Sequence, residues 1–316
     1  MKETTMFSNS LVRRMVRLAA GFGMGCAAAA VAAADVPVLR VAYAGSMGAV
    51  MDQGLGPSFD KNHGTRFEGI GQGAYGLARL LASKQMRADV FVSITSGPVD
   101  ILRQAGLLDR VVPVASTRMV IVYSDRSRFA AQFQAAAAGK IPWYTVLEQE
   151  GVRFGRTDPA TDPQGRNIVF TLRLAERYYR QPGLAEKILG PIRNPQQIFT
   201  EPSLLSRLEA GQIDAASGYR SAALSHHLPF IELPDEINLS NPALMERWYR
   251  QAEFSLSLPN GKTETLQTQP LVFYAGVLSN AENPTAAQAF VDFLASPDGQ
   301  RIFAQFGYDP PKGGAP

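Results

Sequence analysis

Residues 88–97 read ADVFVSITSG, a β-branched and aromatic run that ends in small polar residues and glycine. Such a run predicts a fully buried strand followed by a turn. Similar segments precede it at 36–44 (VPVLRVAYA) and 66–70 (RFEGI), with helical stretches between them. Alternating strands and helices predict an α/β fold with a parallel sheet. Ligands of such sheets bind beyond the carboxyl ends of the strands, where Ser46 and Ser93 fall.

The second half of the chain repeats this alternation. An apolar strand is predicted at 119–123, a second α/β set follows, and residues 272–278 return as another strand. No Gly/Ser-rich linker separates the sets. We therefore expect two lobes around a ligand cleft, joined by a hinge that the chain crosses twice, near Asp125 and near Pro270. The expected bounds are 35–124 with 271–316 for lobe 1, and 125–270 for lobe 2.

The first 34 residues differ in kind from the rest. Basic residues precede the uncharged apolar stretch 18–31, and Ala32–Ala34 provides small residues for cleavage. This layout predicts a signal peptide at 1–34 and a periplasmic protein, with lipidation of the single cysteine, Cys26, left open. Removal of the segment leaves 27 basic and 27 acidic residues. The basic pI therefore gives no indication of a nucleic-acid partner.

Motifs of catalysis are missing from the sequence. The three histidines form no nucleophile–base or zinc-type spacing with other residues. Residues 71–76 (GQGAYG) match a G-x-G-x-x-G pattern, but no acidic residue stands at the end of the next strand, since Asp89 is at its start. We therefore expect a turn there. The sequence predicts no enzyme, no catalytic residues, no metal site and no cofactor.

Several runs, ordered along nearly the whole mature chain, resemble the tungstate/molybdate-binding proteins of ABC importers, especially their archaeal-type branch. They are 44–51 (AGSMGAVM), 88–95 (ADVFVSIT), 119–127 (MVIVYSDRS), 157–167 (TDPATDPQGRN), 208–223 (LEAGQIDAASGYRSAA), 230–242 (FIELPDEINLSNP) and 290–308 (FVDFLASPDGQRIFAQFGY). The first and last are common among solute-binding proteins, whereas 157–167 and 230–242 are more specific. The resemblance implies the type II periplasmic-binding fold, in agreement with the predicted order of elements.

The resemblance also implies a site. Ser46 and Ser93 match serines that hold the oxyanion, and Tyr219 matches a tyrosine whose phenol donates to it. Gln164 and Glu201 fall at helix starts where a backbone N–H would serve. A cap or turn is the structural alternative for each serine, and core packing for the tyrosine. Such neutral donors and helix N-termini suit a dianion with four oxygens. Surface positions, either solvated or salt-bridged, are expected for the arginines Arg79, Arg118, Arg166 and Arg220.

One position departs from the family. In the archaeal-type branch two carboxylates complete an octahedral shell around the metal atom of the oxyanion. Asp162 matches one of them, but Gly218 stands in place of the other. Asp162 also precedes Pro163, which is typical of a helix N-cap followed by Pro at N1. A lone carboxylate would repel an oxyanion unless protonated, so we expect tetrahedral binding through hydrogen bonds.

The resemblance predicts a solute-binding protein that acts as a monomer and passes molybdate or tungstate to an ABC permease in the membrane. Two alternatives stay open at this point. The same fold could bind another anion, such as sulfate, phosphate or an organic acid. An exported enzyme would need a base beside Ser46 or Ser93, and the sequence offers no nameable histidine for that role.

Replacing Asp162 separates its two possible roles. Asn also caps helices, so we expect Asp162→Asn to retain molybdate binding, measured by isothermal titration calorimetry. Abolished or strongly weakened binding would instead identify Asp162 as a ligand of the oxyanion.

Overall fold

The computed structural model describes residues 36–257, 261–314 and 316. Residues 36–316 form one compact unit. The predicted signal peptide, 1–34, and Cys26 lie outside the described residues. None of the described helices is long and apolar enough to cross a membrane.

The first sheet has five strands in the order β2-β1-β3-β11-β4. Its strands are β1 (Val38–Ala44), β2 (Arg66–Gln72), β3 (Val90–Ile94), β4 (Val112–Ser116) and β11 (Val272–Val277). The predicted parallel arrangement is right for β1 with β2 and β3. β11 runs antiparallel to both of its neighbours.

The second sheet has four strands in the order β6-β7-β5-β8, and a separate hairpin pairs β9 with β10. These strands are β5 (Met119–Tyr123), β6 (Phe154–Gly155), β7 (Ala215–Tyr219), β8 (Phe230–Glu232), β9 (Glu253–Ser257) and β10 (Thr263–Gln267). β6 is parallel to β7, whereas β5 is antiparallel to both β7 and β8.

Helices connect and cover the strands. They are α1 (Gly48–Val50), α2 (Gly56–His63), α3 (Ala74–Ala82), α4 (Gly97–Gln104), α5 (Ala130–Ala137), α6 (Trp143–Leu147), α7 (Pro163–Tyr178), α8 (Leu184–Leu189), α9 (Glu201–Glu209), α10 (Arg220–Ser225), α11 (Pro284–Ala295) and α12 (Pro297–Gln305). Helix α12 begins with a side-chain cap, because the Ser296 hydroxyl accepts the Gly299 N–H at 3.2 Å and Pro297 is at N1.

The first crossing between the sheets lies earlier than we predicted. Strand β5 was expected in lobe 1, but it pairs in the second sheet, so the chain crosses at Thr117–Arg118 rather than near Asp125. All five residues of β5 are buried, and an apolar run can be buried equally well in either sheet. The return passes through 268–271, where the Thr117 N–H donates to the Leu271 carbonyl at 3.1 Å. The strands that follow the two crossings are β5 and β11. Strand β5 pairs antiparallel with β7, and β11 pairs antiparallel with β3.

Helix α7 is the central helix of the second lobe, with twelve of its sixteen residues buried. Its first turn packs directly on the backbone of the preceding loop. A Cβ on Gly165 would lie 2.3 Å from the Thr157 carbonyl oxygen and 2.7 Å from the Pro159 nitrogen. Only glycine permits this approach, which positions the loop 157–162 beside the start of the helix.

We expect Gly165→Ala to lower the free energy of unfolding by about 1–3 kcal/mol, because the added methyl group collides with backbone rather than with a movable side chain. Gly48→Ala is the matched control, since Gly48 is helical and a Cβ added there would have no atom within 4 Å. Urea unfolding should show no loss for the control, and equal losses for both variants would contradict this packing account.

Candidate functional site

Segments from both lobes meet at one buried point. Glycine at the start of α3 approaches the loop before α7: a Cβ on Gly73 would lie 2.7 Å from the Thr161 carbonyl oxygen and 3.2 Å from Asp162 Oδ2. The Gly76 N–H donates to the same Thr161 carbonyl at 3.0 Å. The turn after β1 approaches α9 in the same way, since a Cβ on Gly45 would lie 3.1 Å from Glu201 Oε2.

Asp162 is the N-cap of α7, as its sequence context indicated. Its Oδ1 accepts the Gln164 backbone N–H at 2.8 Å. This bond changes the role expected of Gln164, because the N–H that we assigned to a ligand is engaged by the cap. The side chain of Gln164 takes part instead: its Oε1 accepts the Ser217 hydroxyl at 3.0 Å, and its Nε2 donates to Glu201 Oε1 at 3.2 Å.

Glu201 differs most from expectation. The resemblance required only its backbone N–H, but its side chain is turned inward and is only 5% exposed. The Gln164 amide donates to the carboxylate at 3.2 Å, and the backbone N–H of Ser46 lies near enough to lower its pKa. An acidic residue in the first turn of a helix usually interacts with the helix dipole at the surface, so the sequence carried no signal of this burial.

The carboxyl groups of Asp162 and Glu201 affect each other's pKa. Burial, followed by the charge of Asp162, raises the pKa of Glu201 well above its ordinary value, and the Ser46 N–H opposes that rise. Burial also raises the pKa of Asp162 to about 6, against the stabilising effect of the Gln164 N–H. Desolvation disfavours the charged form of each group, so the pair favours holding a proton near neutral pH.

Tyr219 is buried at the end of β7, 1% exposed, with its phenol beside the carboxyl pair. Its oxygen accepts the Asn167 side-chain amide at 2.9 Å. Because the oxygen accepts this bond, the phenol proton remains available to donate to another group. Sequence reasoning missed Asn167, although its place one turn after Gln164 on the same helix puts both on neighbouring positions of one face.

Ser46 and Ser93 have different surroundings. Ser46 is buried in the turn after β1, and its carbonyl accepts the Tyr308 hydroxyl at 3.0 Å. The Ser93 hydroxyl bonds to the Ile94 carbonyl at 3.0 Å, within its own strand. In residues 36–257 and 261–314, no hydrogen bond joins Ser93 to the other five candidates. The structure therefore brings together Ser46, Asp162, Gln164, Glu201 and Tyr219, whereas the Ser93 hydroxyl is engaged by the backbone of its own strand.

A cavity of about 830 Å³ lies beside this cluster. Asn167 lines it together with Tyr75 and Arg166, whereas none of the six predicted site residues does. The surface position expected for Arg166 is wrong: the side chain is buried, and its guanidinium lies 3.5 Å from the centre of the Tyr75 ring. Its Nε donates to the Pro159 carbonyl at 2.8 Å, so this cation–π contact and hydrogen bond replace the expected hydration.

The other arginines predicted at the surface have partners. Arg79 donates to the Ala160 carbonyl at 2.8 Å, a further link between α3 and the loop before α7. Arg118 pairs with Asp309 at 3.0 Å, and Arg220 pairs with Glu232 at 2.8 Å. None of these arginines forms an ion pair with the carboxyl pair in the part of the chain that the structure describes.

The raised pKa values of Asp162 and Glu201 predict a pH dependence of stability in the absence of ligand. The folded state binds protons more tightly than the unfolded state, so the contribution of these groups is fully present below about pH 4 and is lost as pH rises through their folded pKa values. We expect Glu201→Gln to reduce the loss in unfolding free energy between pH 5 and pH 8, because the amide has no proton to release in this range.

Glu186→Gln, on the exposed side of α8, is the control for this measurement. Urea unfolding at both pH values should give the wild-type loss for the control. The same loss in Glu201→Gln would show that Glu201 has no such titration.

Comparison with known proteins identifies the family. The family model described as bacterial extracellular solute-binding protein matches residues 39–309. An uncharacterised solute-binding protein of Petrotoga mobilis is 31% identical over 72% of this chain and 70% of its own length. A molybdate/tungstate-binding protein of Thermococcus kodakarensis is 28% identical over 93% of this chain and 89% of its own length.

Solved structures share the fold at low identity. The periplasmic molybdate-binding protein of Azotobacter vinelandii superposes with a TM-score of 0.62 at 16% identity, covering 87% of this chain and 100% of that one. The sulfate-binding protein SubI of Mycobacterium tuberculosis gives 0.54 at 15% identity, with 87% of each chain covered. The two-sheet α/β architecture is thus that of periplasmic binding proteins, and the chain belongs to the bacterial extracellular solute-binding protein family.

Proposed function

We propose that this protein captures molybdate or tungstate outside the cytoplasm and delivers it to the permease of an ABC importer. The observation that carries the proposal is the buried cluster of uncharged donors from both lobes, Ser46, Gln164 and Tyr219. The name of the Thermococcus kodakarensis relative, which aligns over most of both chains, supports the choice of ligand.

The geometry suits a small tetrahedral dianion. Hydroxyl, phenol and amide groups donate hydrogen bonds to oxygen, and the starts of α3, α7 and α9 direct their dipoles toward the same point. Ser46 belongs to the first lobe and Tyr219 to the second, so a ligand held by both would favour the closed arrangement of the lobes. The neighbouring cavity is lined by Asn167, whose side-chain amide donates to the phenol oxygen of Tyr219, so the cavity and the cluster share this hydrogen bond.

The same proposal extends to the location, oligomeric state and cofactors of the protein. We propose a periplasmic location after cleavage at 34, action as a monomer, and no cofactor besides the transported oxyanion. Ser93 is omitted from the proposed ligand set because its hydroxyl is engaged by the Ile94 carbonyl.

Ligand identity is tested by a thermal-shift and calorimetric panel of molybdate, tungstate, sulfate and phosphate on the purified protein. A ligand of the folded state raises the melting temperature with its concentration, by mass action. We expect this for molybdate and tungstate. A shift with sulfate or phosphate alone would overturn the ligand assignment while leaving the family unchanged.

The donor set is tested by Tyr219→Phe. Loss of one hydrogen bond to a charged ligand weakens binding by about 1.5–3 kcal/mol, or roughly tenfold or more in Kd. Ser93→Ala is the matched control, since it removes another buried hydroxyl of the same fold, and we expect wild-type affinity. Calorimetry that finds the larger loss in Ser93→Ala would reverse the roles of the two residues.

A further inference from the structure

The side chain of Glu201 occupies the donors that the proposed oxyanion needs. Gln164 Nε2 donates to its Oε1 at 3.2 Å, and the Ser46 backbone N–H lies close enough to lower the pKa of the same carboxyl group. Oε2 lies against the turn at Gly45, so the whole carboxyl group is inside the site. A carboxylate presents oxygen atoms and negative charge to donors as an oxyanion does. Glu201 and the ligand therefore compete for one set of hydrogen bonds.

No cation offsets the charge of Glu201 within the described residues. The charged and titratable groups that act on it are Asp162 before α7, Tyr219 at the end of β7 and Tyr308 after α12. All three are acids. Asp162 in turn interacts with Asp158 and with Arg166, whose guanidinium is committed to the Tyr75 ring and the Pro159 carbonyl. A dianion brought to this point meets uncompensated negative charge when both carboxyl groups are ionised.

We propose that Glu201 is an internal competitor of the oxyanion, and that binding is coupled to the uptake of a proton from solvent by the Asp162–Glu201 pair. This inference rests on the proposed function. In the protonated form the carboxylic acid loses its charge and gains an O–H donor. The protonated carboxyl group no longer competes with the ligand for hydrogen-bond donors, and it can donate a further hydrogen bond to the oxyanion.

The arrangement also accounts for the missing family carboxylate. A Cβ on Gly218 would lie 2.5 Å from Val122 Cγ2, so an acid at this position would require the Val122 side chain to move. The second carboxyl group is supplied from the start of α9 instead. It reaches the site through Gln164 and the turn at Ser46, both of which are oxyanion donors in the proposed function.

The test is calorimetric titration of molybdate into wild type, Glu201→Gln and the exposed control Glu186→Gln from pH 6.5 to 8.5. For wild type and the control we expect the association constant to fall with rising pH, toward about tenfold per unit for one linked proton. Glu201→Gln should bind about tenfold more tightly than wild type at pH 8 and show a flatter profile. Gln retains the shape and can still face Gln164, so the fold should persist.

Proton uptake is measured separately on the wild-type protein, so the test does not depend on any variant. Titrations at one pH in two buffers of different ionisation enthalpy should give different heats, corresponding to close to one proton taken up. Equal heats together with a pH-independent affinity would overturn the coupling and leave oxyanion capture intact. Weaker or unchanged binding by Glu201→Gln would overturn the competitor role. Absence of molybdate and tungstate binding by wild type at every pH would overturn both proposals.

Discussion

Two carboxyl groups that are buried together, and that form no ion pair with any described residue, are the constraint on which the site depends. Asp162 is held by the start of α7, and Glu201 is held by Gln164 and Ser46. An ionised pair in this position is unfavourable because neither charge is hydrated or neutralised. The folded protein therefore favours the state in which the pair holds a proton. The turn after β1, the start of α3, the loop before α7 and the start of α9 all pack around the pair, so their packing depends on the ionisation of these two side chains.

The fold brings these groups together through close backbone approaches. Gly73 allows α3 to touch the loop before α7, and Gly165 allows the same loop to rest on the first turn of that helix. Hydrogen bonds from Gly76 and Arg79 to carbonyls of this loop join the first lobe to the second. Because these contacts cross the cleft, the lobes hold the donors and the carboxyl pair at one point, and a change in the pair affects both lobes.

The sequence could predict the architecture because alternating apolar strands and helices indicate an α/β sheet without knowledge of the contacts. It also placed Ser46, Tyr219 and the Asp162 cap, since each stands at a strand end or helix start. It could not predict which sheet receives β5, because an apolar run fits either one. Nor could it predict that the Ser93 hydroxyl donates to the Ile94 carbonyl of its own strand. The burial of Glu201 depends on Gly45 and Gln164, which are distant in sequence.

The most direct test of oxyanion capture by this cluster is an anomalous difference map at the molybdenum edge from crystals grown with molybdate. We predict a single strong peak between the two lobes, within hydrogen-bonding reach of Ser46 and Tyr219 and next to the Glu201 carboxyl group. A peak confined to the cavity lined by Tyr75 and Arg166, or no peak at saturating molybdate, would contradict this assignment.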